Sequence, residues 1–98
     1  MSTVELIDGT NDFTIIAKGH TEGKMCAAIS CLLYTAAGYI ANNDEIIIQE
    51  IRLEPGDAKL VWAGGKKAIW LFDLMVIGFK QLQEGDPKNI FTKFLKSA

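Results

Sequence analysis

GHTEGKMCAAIS, residues 19–30, is the stretch in which we predict that the chain leaves a strand and enters a long apolar helix. Its histidine, His20, is the only one in the protein, and Cys26 follows after five intervening residues. A thiol and an imidazole are the minimum that a cysteine nucleophile with its own base requires. The sequence predicts these groups at the two ends of one short connection. From spacing alone, a strand-end histidine and a buried structural cysteine remain the alternative.

We predict that Cys26 lies in the first turn of this helix. Gly23 is an acceptable N-cap, and Lys24 is a suitable first helical residue. Unpaired backbone N–H groups at a helix N-terminus stabilise a thiolate, which is the nucleophilic form of cysteine. Ser30 follows four residues after Cys26 and therefore shares its helix face. Cys31 lies about 140° further round the helix, which argues against a disulfide between the two cysteines, and we expect Cys31 in the core.

Hydrophobic spacing predicts the elements on either side of this stretch. Strands are expected at residues 3–7, 13–18, 45–53 and 58–63, and helices at residues 24–41 and 66–83. Within the strand over 45–53, the spacing predicts that Ile47, Ile51 and Leu53 share one face. The Pro-Gly pair at residues 55–56 is typical of a type II turn. Residues 89–95 either add an edge strand or fold over the surface.

The element order ββαββα indicates an α+β domain of two layers, in which two helices pack on a small mixed or antiparallel sheet. With 98 residues, the chain is expected to form a single domain over 1–98. Both helices carry apolar residues on more than one side, and together they present more apolar surface than one small sheet covers. We therefore expect a homodimer.

Charge and composition argue against several classes of function. The net charge of −2 gives no electrostatic reason to expect a nucleic-acid or anionic-membrane partner. Residues 25–43 are uncharged over a length close to that of a membrane span, but Ser30, Thr35 and two asparagines interrupt the run, and we predict a buried helix in a soluble protein. One histidine and two cysteines are too few for a closed zinc site, and no cofactor is expected. Reduced thiols suggest a cytoplasmic location.

The central stretch resembles the Prp family of bacterial and phage cysteine proteases. The likeness rests on Gly19-His20 and on the run CAAIS at residues 26–30, and it extends to residues 32–35, 38–39, 76–82 and 86–87. The family pattern has a longer loop after the histidine and an acidic residue three positions before the cysteine. Gly23 stands at that acidic position in this chain, and Glu22 is the candidate to replace the missing carboxylate.

The resemblance implies a cysteine endopeptidase with Cys26 as nucleophile and His20 as general base, supported by Gly19, Gly23 and Ser30. The implied partner is a short N-terminal segment of a ribosomal large-subunit protein or of a phage capsid or scaffold protein, cut after an aromatic residue. We expect a bound peptide to bring base and nucleophile within hydrogen-bond reach. The alternative is a non-catalytic, phage-associated binding or assembly protein that retains the fold, and the shortened loop and the missing acidic residue favour it.

Overall fold

The computed structural model describes residues 1–21 and 23–97. Glu22, the candidate replacement for the acidic residue, lies outside the described residues, as does Ala98. The elements follow one another as β1 (Ser2–Asp8), β2 (Phe13–Lys18), α1 (Gly23–Ala41), β3 (Ile46–Glu54), β4 (Asp57–Gly64), α2 (Lys66–Gly85) and β5 (Ile90–Lys96). The predicted α+β class and the order ββαββα are confirmed, and β5 follows them.

The strands of the described chain form one mixed sheet in the order β3-β4-β2-β1-β5. Antiparallel pairing joins β1 to β2, β2 to β4 and β3 to β4, whereas β5 runs parallel to β1. A parallel neighbour requires a crossover connection, which α2 supplies. Residues 89–95 therefore contribute an edge strand, which was one of the two expectations from the sequence.

One face of this sheet carries the core. Its inward residues are almost wholly buried and alternate along the three central strands: Val4, Leu6, Ile15, Ala17, Ala58, Leu60 and Trp62. Both helices pack their buried residues into the same cluster. The indole of Trp62 donates a hydrogen bond of 3.1 Å to the carbonyl of Ala68, which satisfies the polar atom of this buried ring.

The prediction that Ile47 shares a face of β3 with Ile51 and Leu53 is wrong. A β-bulge between Ile48 and Glu50 inserts one residue opposite β4. One extra residue reverses the alternation of side chains between the two faces of a strand. Ile47 therefore lies on the opposite side from Ile51 and Leu53, and it is 62% exposed.

Helix α1 has the length and composition of a membrane span. The core helix of a soluble protein can have the same length and composition. In the fold, α1 packs against α2 and β3. The placement of Cys31 in the core is wrong, because its side chain is exposed. Cys31 lies two residues from both Ile29 and Leu33, and hence about 200° round the helix from each of these buried residues.

Candidate active site

A cavity of about 310 Å³ contains both side chains of the predicted catalytic pair, His20 and Cys26. Three segments form most of its wall: residues 17–20 at the end of β2, the first turns of α1, and residues 53–58 around the β3–β4 turn. The strand that precedes His20 and the helix that carries Cys26 thus meet at one opening. The arrangement can place a bound molecule in contact with a thiol and an imidazole at once.

Cys26 is the fourth residue of α1, which begins at Gly23. The backbone N–H groups of the first turn of an α-helix have no partner within the helix. The first turn of α1 holds no acidic residue, and Lys24 contributes a positive charge. The partial positive charge of these N–H groups and the ammonium of Lys24 favour an anion near the exposed sulfur of Cys26.

Helix periodicity brings further residues of α1 to the cavity. Ser30 follows four residues after Cys26 and lines the same wall. Leu33 and Tyr34 also line it, seven and eight residues after the cysteine. Leu33 and Tyr34 were not predicted to belong to the site, although their spacing of two helical turns from Cys26 is a signal that could have found them.

His20 lies two residues beyond the end of β2 and is exposed. Gly19, directly before it, has a φ of +93°, and a Cβ at Gly19 would lie 2.7 Å from the carbonyl oxygen of Met1. The backbone nitrogen of Met1 lies 3.1 Å from the carbonyl oxygen of His20. A residue other than glycine at position 19 would disturb this packing, which explains why a glycine precedes the histidine.

The β3–β4 turn forms the wall against which the imidazole packs. Gly56 lies against the ring of His20, and the N–H of Gly19 donates a 3.0 Å hydrogen bond to the carbonyl of Gly56. The sequence predicts the turn, and the φ of +70° at Gly56 agrees with a type II turn. Its place in the site was missed, because that place depends on the pairing of β2 with β4, in which Lys18 is opposite Asp57.

Asp57 is the ionised group that anchors this turn. Its carboxylate accepts hydrogen bonds from Lys18 Nζ at 2.7 Å and from Arg52 Nη2 at 3.1 Å. The hydrogen bond from Lys18, and then the hydrogen bond and charge of Arg52, hold the pKa of Asp57 below its ordinary value of 3.8. These contacts join the turn to β2, the strand that leads to His20.

Among the hydrogen bonds of residues 1–21 and 23–97, none joins the Cys26 thiol to the His20 imidazole. Catalytic hydrogen bonds are often long in the absence of substrate and tighten when it binds. Within the same residues, no group of three histidine, cysteine, aspartate or glutamate side chains is arranged to hold a metal ion. The reactive groups described at this cavity are the thiol, the imidazole and the backbone N–H groups.

No family model matches the sequence, and no curated protein matches it. Solved structures do match. SMU.848 from Streptococcus mutans superposes with a TM-score of 0.77 at 17% identity, and the match covers 99% of each chain.

Two crystal structures of Prp from S. aureus, an essential ribosomal processing protease, also match. The one with a covalently linked product peptide has a TM-score of 0.80 at 18% identity, covering 96% of this chain and 99% of that chain. The one with a substrate peptide has a TM-score of 0.73 at 17% identity, with the same coverage. Over nearly its whole length, this chain therefore has the fold of the ribosomal processing protease Prp.

Proposed function

We propose that the protein is a cysteine endopeptidase of the Prp type, with Cys26 as nucleophile and His20 as general base. The observation that carries the proposal is that both side chains line one and the same cavity. Its support is the shared fold with Prp from S. aureus, which has been crystallised with a substrate peptide and with a covalently linked product peptide.

The proposed reaction uses the two side chains in turn. His20 takes the thiol proton of Cys26, and the thiolate attacks the peptide carbonyl to form a C–S bond. His20 then gives that proton to the leaving nitrogen as the C–N bond breaks, which leaves a thioester on Cys26. His20 next takes a proton from water, and the resulting hydroxide attacks the thioester. The C–S bond then breaks to release the acid, and His20 returns its proton to the sulfur of Cys26, which restores the thiol. Backbone N–H groups at the start of α1 are the donors for the developing oxyanion.

The lining of the cavity supports a proposal about the substrate. Its apolar wall consists of Ala17, Ile29, Leu33, Leu53 and Ala58. A mostly apolar cavity of about 310 Å³ suits one large apolar side chain next to the scissile bond. We propose an N-terminal segment of a ribosomal or phage structural protein that carries an aromatic residue at the cut.

We further propose that the protein acts as a homodimer in the cytoplasm. Both cysteines are free thiols, and the reaction requires Cys26 to remain reduced. On α2, Trp70, Leu74 and Ile77 are each more than half exposed. Their spacing places them in one stripe along the helix, and a second copy would cover this stripe symmetrically.

A binding protein without catalytic activity is the second candidate. The absence of a hydrogen bond between Cys26 and His20 within the described residues favours it. Such a protein would hold a peptide in the same cavity and release it intact.

Peptide cleavage distinguishes the two candidates. The unmodified protein is incubated with a set of peptides that each contain one aromatic residue, and the products are identified by mass spectrometry. Cys26→Ala is expected to abolish cleavage, since it removes the nucleophile at an exposed position and leaves the fold intact. Cys31→Ala is the matched control, since Cys31 is also exposed on α1 but does not line the cavity, and it should retain activity. Binding without products in the unmodified protein, or a loss of cleavage in Cys31→Ala alone, would contradict the proposal.

A further inference from the structure

The ring of His20 occupies the place that a side chain at position 56 would take. A Cβ built on Gly56 would lie 2.6 Å from Cε1 of His20 and 3.0 Å from its Cδ2, and it would be closest to Nε2. Real Cβ atoms do not approach other heavy atoms this closely, so any side chain at position 56 must displace the imidazole or the turn.

The turn that carries Gly56 is held against the end of β2. The carbonyl of Gly56 accepts the N–H of Gly19 at 3.0 Å, one residue before the histidine. On the other side of Gly56, the carboxylate of Asp57 is paired with Lys18 at 2.7 Å and with Arg52 at 3.1 Å. Displacement of the turn would break these contacts, so the imidazole is the group expected to move.

We infer that Gly56 is a positioning residue for His20: its bare backbone in the β3–β4 turn is the surface that sets where the imidazole lies in the cavity relative to Cys26. The inference rests on the proposed function and adds to it a residue that touches neither the nucleophile nor the scissile bond. It also gives the turn a role beyond lining the cavity.

Two substitutions test the inference. Gly56→Ala adds the Cβ but is strained at a φ of +70°. Gly56→Asn adds the same Cβ at a residue type that adopts the left-handed conformation more readily, and it preserves the test if the alanine variant does not fold. A misplacement of the base by about 1 Å lowers kcat/KM by about 100-fold, which is the effect expected of both variants, and kcat should account for most of it.

Gly64→Ala is the matched control for backbone strain. Gly64 also has a positive φ, of +140°, and lies at the far end of β4, where a Cβ would meet the carbonyl oxygen of Glu45 at 2.7 Å. This variant should lose stability, but its folded fraction should behave at the active site like the unmodified protein.

The direct readout is the nuclear magnetic resonance signal of the Cε1–H of His20, which is identified without assignment because the chain has one histidine. The signal is expected to move in both Gly56 variants and to stay in place in Gly64→Ala. The second readout is the rate at which iodoacetamide alkylates Cys26 at pH 6, measured in the Cys31→Ala background. It should fall in Gly56→Ala but not fall further when Gly56→Ala is added to His20→Ala, because the two changes act through one group.

An unmoved His20 signal in both Gly56 variants would overturn the inference, as would independent losses of alkylation rate in the double variant. The signal is read without substrate, so the two proposals fail separately. A protein that cleaves no peptide contradicts the proposed function, whereas a cleaving protein whose Gly56 variants keep full kcat/KM contradicts the role of Gly56 alone.

Discussion

At the scale of single residues, position on a helix separates two chemically identical groups. Cys26 and Cys31 lie on the same helix and both are exposed, yet only Cys26 lines the cavity. The position of Cys26 in the first turn of α1 could be predicted from the glycine and lysine before it. The exposure of Cys31 could not, because α1 carries apolar residues on every side and the sequence does not say which side meets the sheet. The contact between Gly56 and His20 could not be predicted either, because it arises from the pairing of two strands that lie far apart in the sequence.

Asp57 should make the stability of the fold depend on pH. Because its pKa is lowered in the folded protein, the ionised carboxylate stabilises the fold above its ordinary pKa of 3.8, and this contribution is lost as the pH falls through the lower, folded pKa. Asp57→Asn should therefore be less stable than the unmodified protein at pH 7, and the difference should disappear in strong acid. Urea unfolding at a series of pH values measures this.

Asp73→Asn is the control for Asp57→Asn, because Asp73 is exposed on α2 and forms no salt bridge within the described residues. The Asp57 contacts are exposed to solvent, so their effect should also shrink in about 1 M salt. A stability difference for Asp57→Asn that stayed constant from pH 7 to pH 2 would show that the loss has another cause.

At the scale of elements, the helices and most strands follow from periodicity, whereas the bulge in β3 does not. The bulge adds one residue to β3 between Ile48 and Glu50. No residue type at Gln49 signals it, so the sequence does not show that the alternation of the isoleucine side chains between the two faces reverses there. The parallel pairing of β5 with β1 was likewise open, because periodicity does not specify which edge a last strand joins. Strand register and strand neighbours are properties of the sheet as a whole.

The same substitution, glycine to alanine, should have opposite effects on stability at two glycines of the neighbouring helices. A Cβ at Gly38 of α1 would meet open space, whereas a Cβ at Gly78 of α2 would lie 3.2 Å from both Cδ atoms of Leu32. Gly38→Ala should raise the free energy of unfolding by roughly 0.5–1 kcal/mol, since alanine loses less conformational entropy in a helix. Gly78→Ala should lower it, because crowding between packed helices costs about 1–3 kcal/mol.

Chemical unfolding of the two variants beside the unmodified protein measures this pair. A gain in stability for Gly78→Ala as large as that for Gly38→Ala would mean that α1 and α2 pack less tightly at Leu32 than the structure shows.

At the scale of the whole molecule, part of the excess apolar surface that the sequence predicts lies along α2. Trp70 is 55% exposed, Leu74 61% and Ile77 53%, all on the outer side of α2. A homodimer through this stripe should give twice the chain mass in light scattering at micromolar concentration. Trp70→Glu should give a monomer, because a carboxylate would be buried without a partner in the interface.

Phe91→Glu is the matched control for the oligomeric state. Phe91 is 49% exposed on the edge strand β5, where it pairs with Thr3, next to the buried Val4, and therefore lies on the face of the sheet opposite the core and α2. A monomeric unmodified protein would contradict the homodimer, and a dimer that persists in Trp70→Glu and dissociates in Phe91→Glu would move the interface to the sheet edge.

A comparison of the two thiols of the chain tests whether His20 activates Cys26. Cys31→Ala and Cys26→Ala each leave one exposed thiol on α1, and the mass of the whole protein then reports its alkylation by iodoacetamide at pH 6. At this pH an ordinary cysteine is almost entirely the unreactive thiol. We predict that Cys26 reacts about tenfold faster than Cys31 or more, and that His20→Ala lowers the rate at Cys26. Equal rates at the two cysteines, or a rate at Cys26 that His20→Ala leaves unchanged, would contradict the proposed pairing of His20 with Cys26.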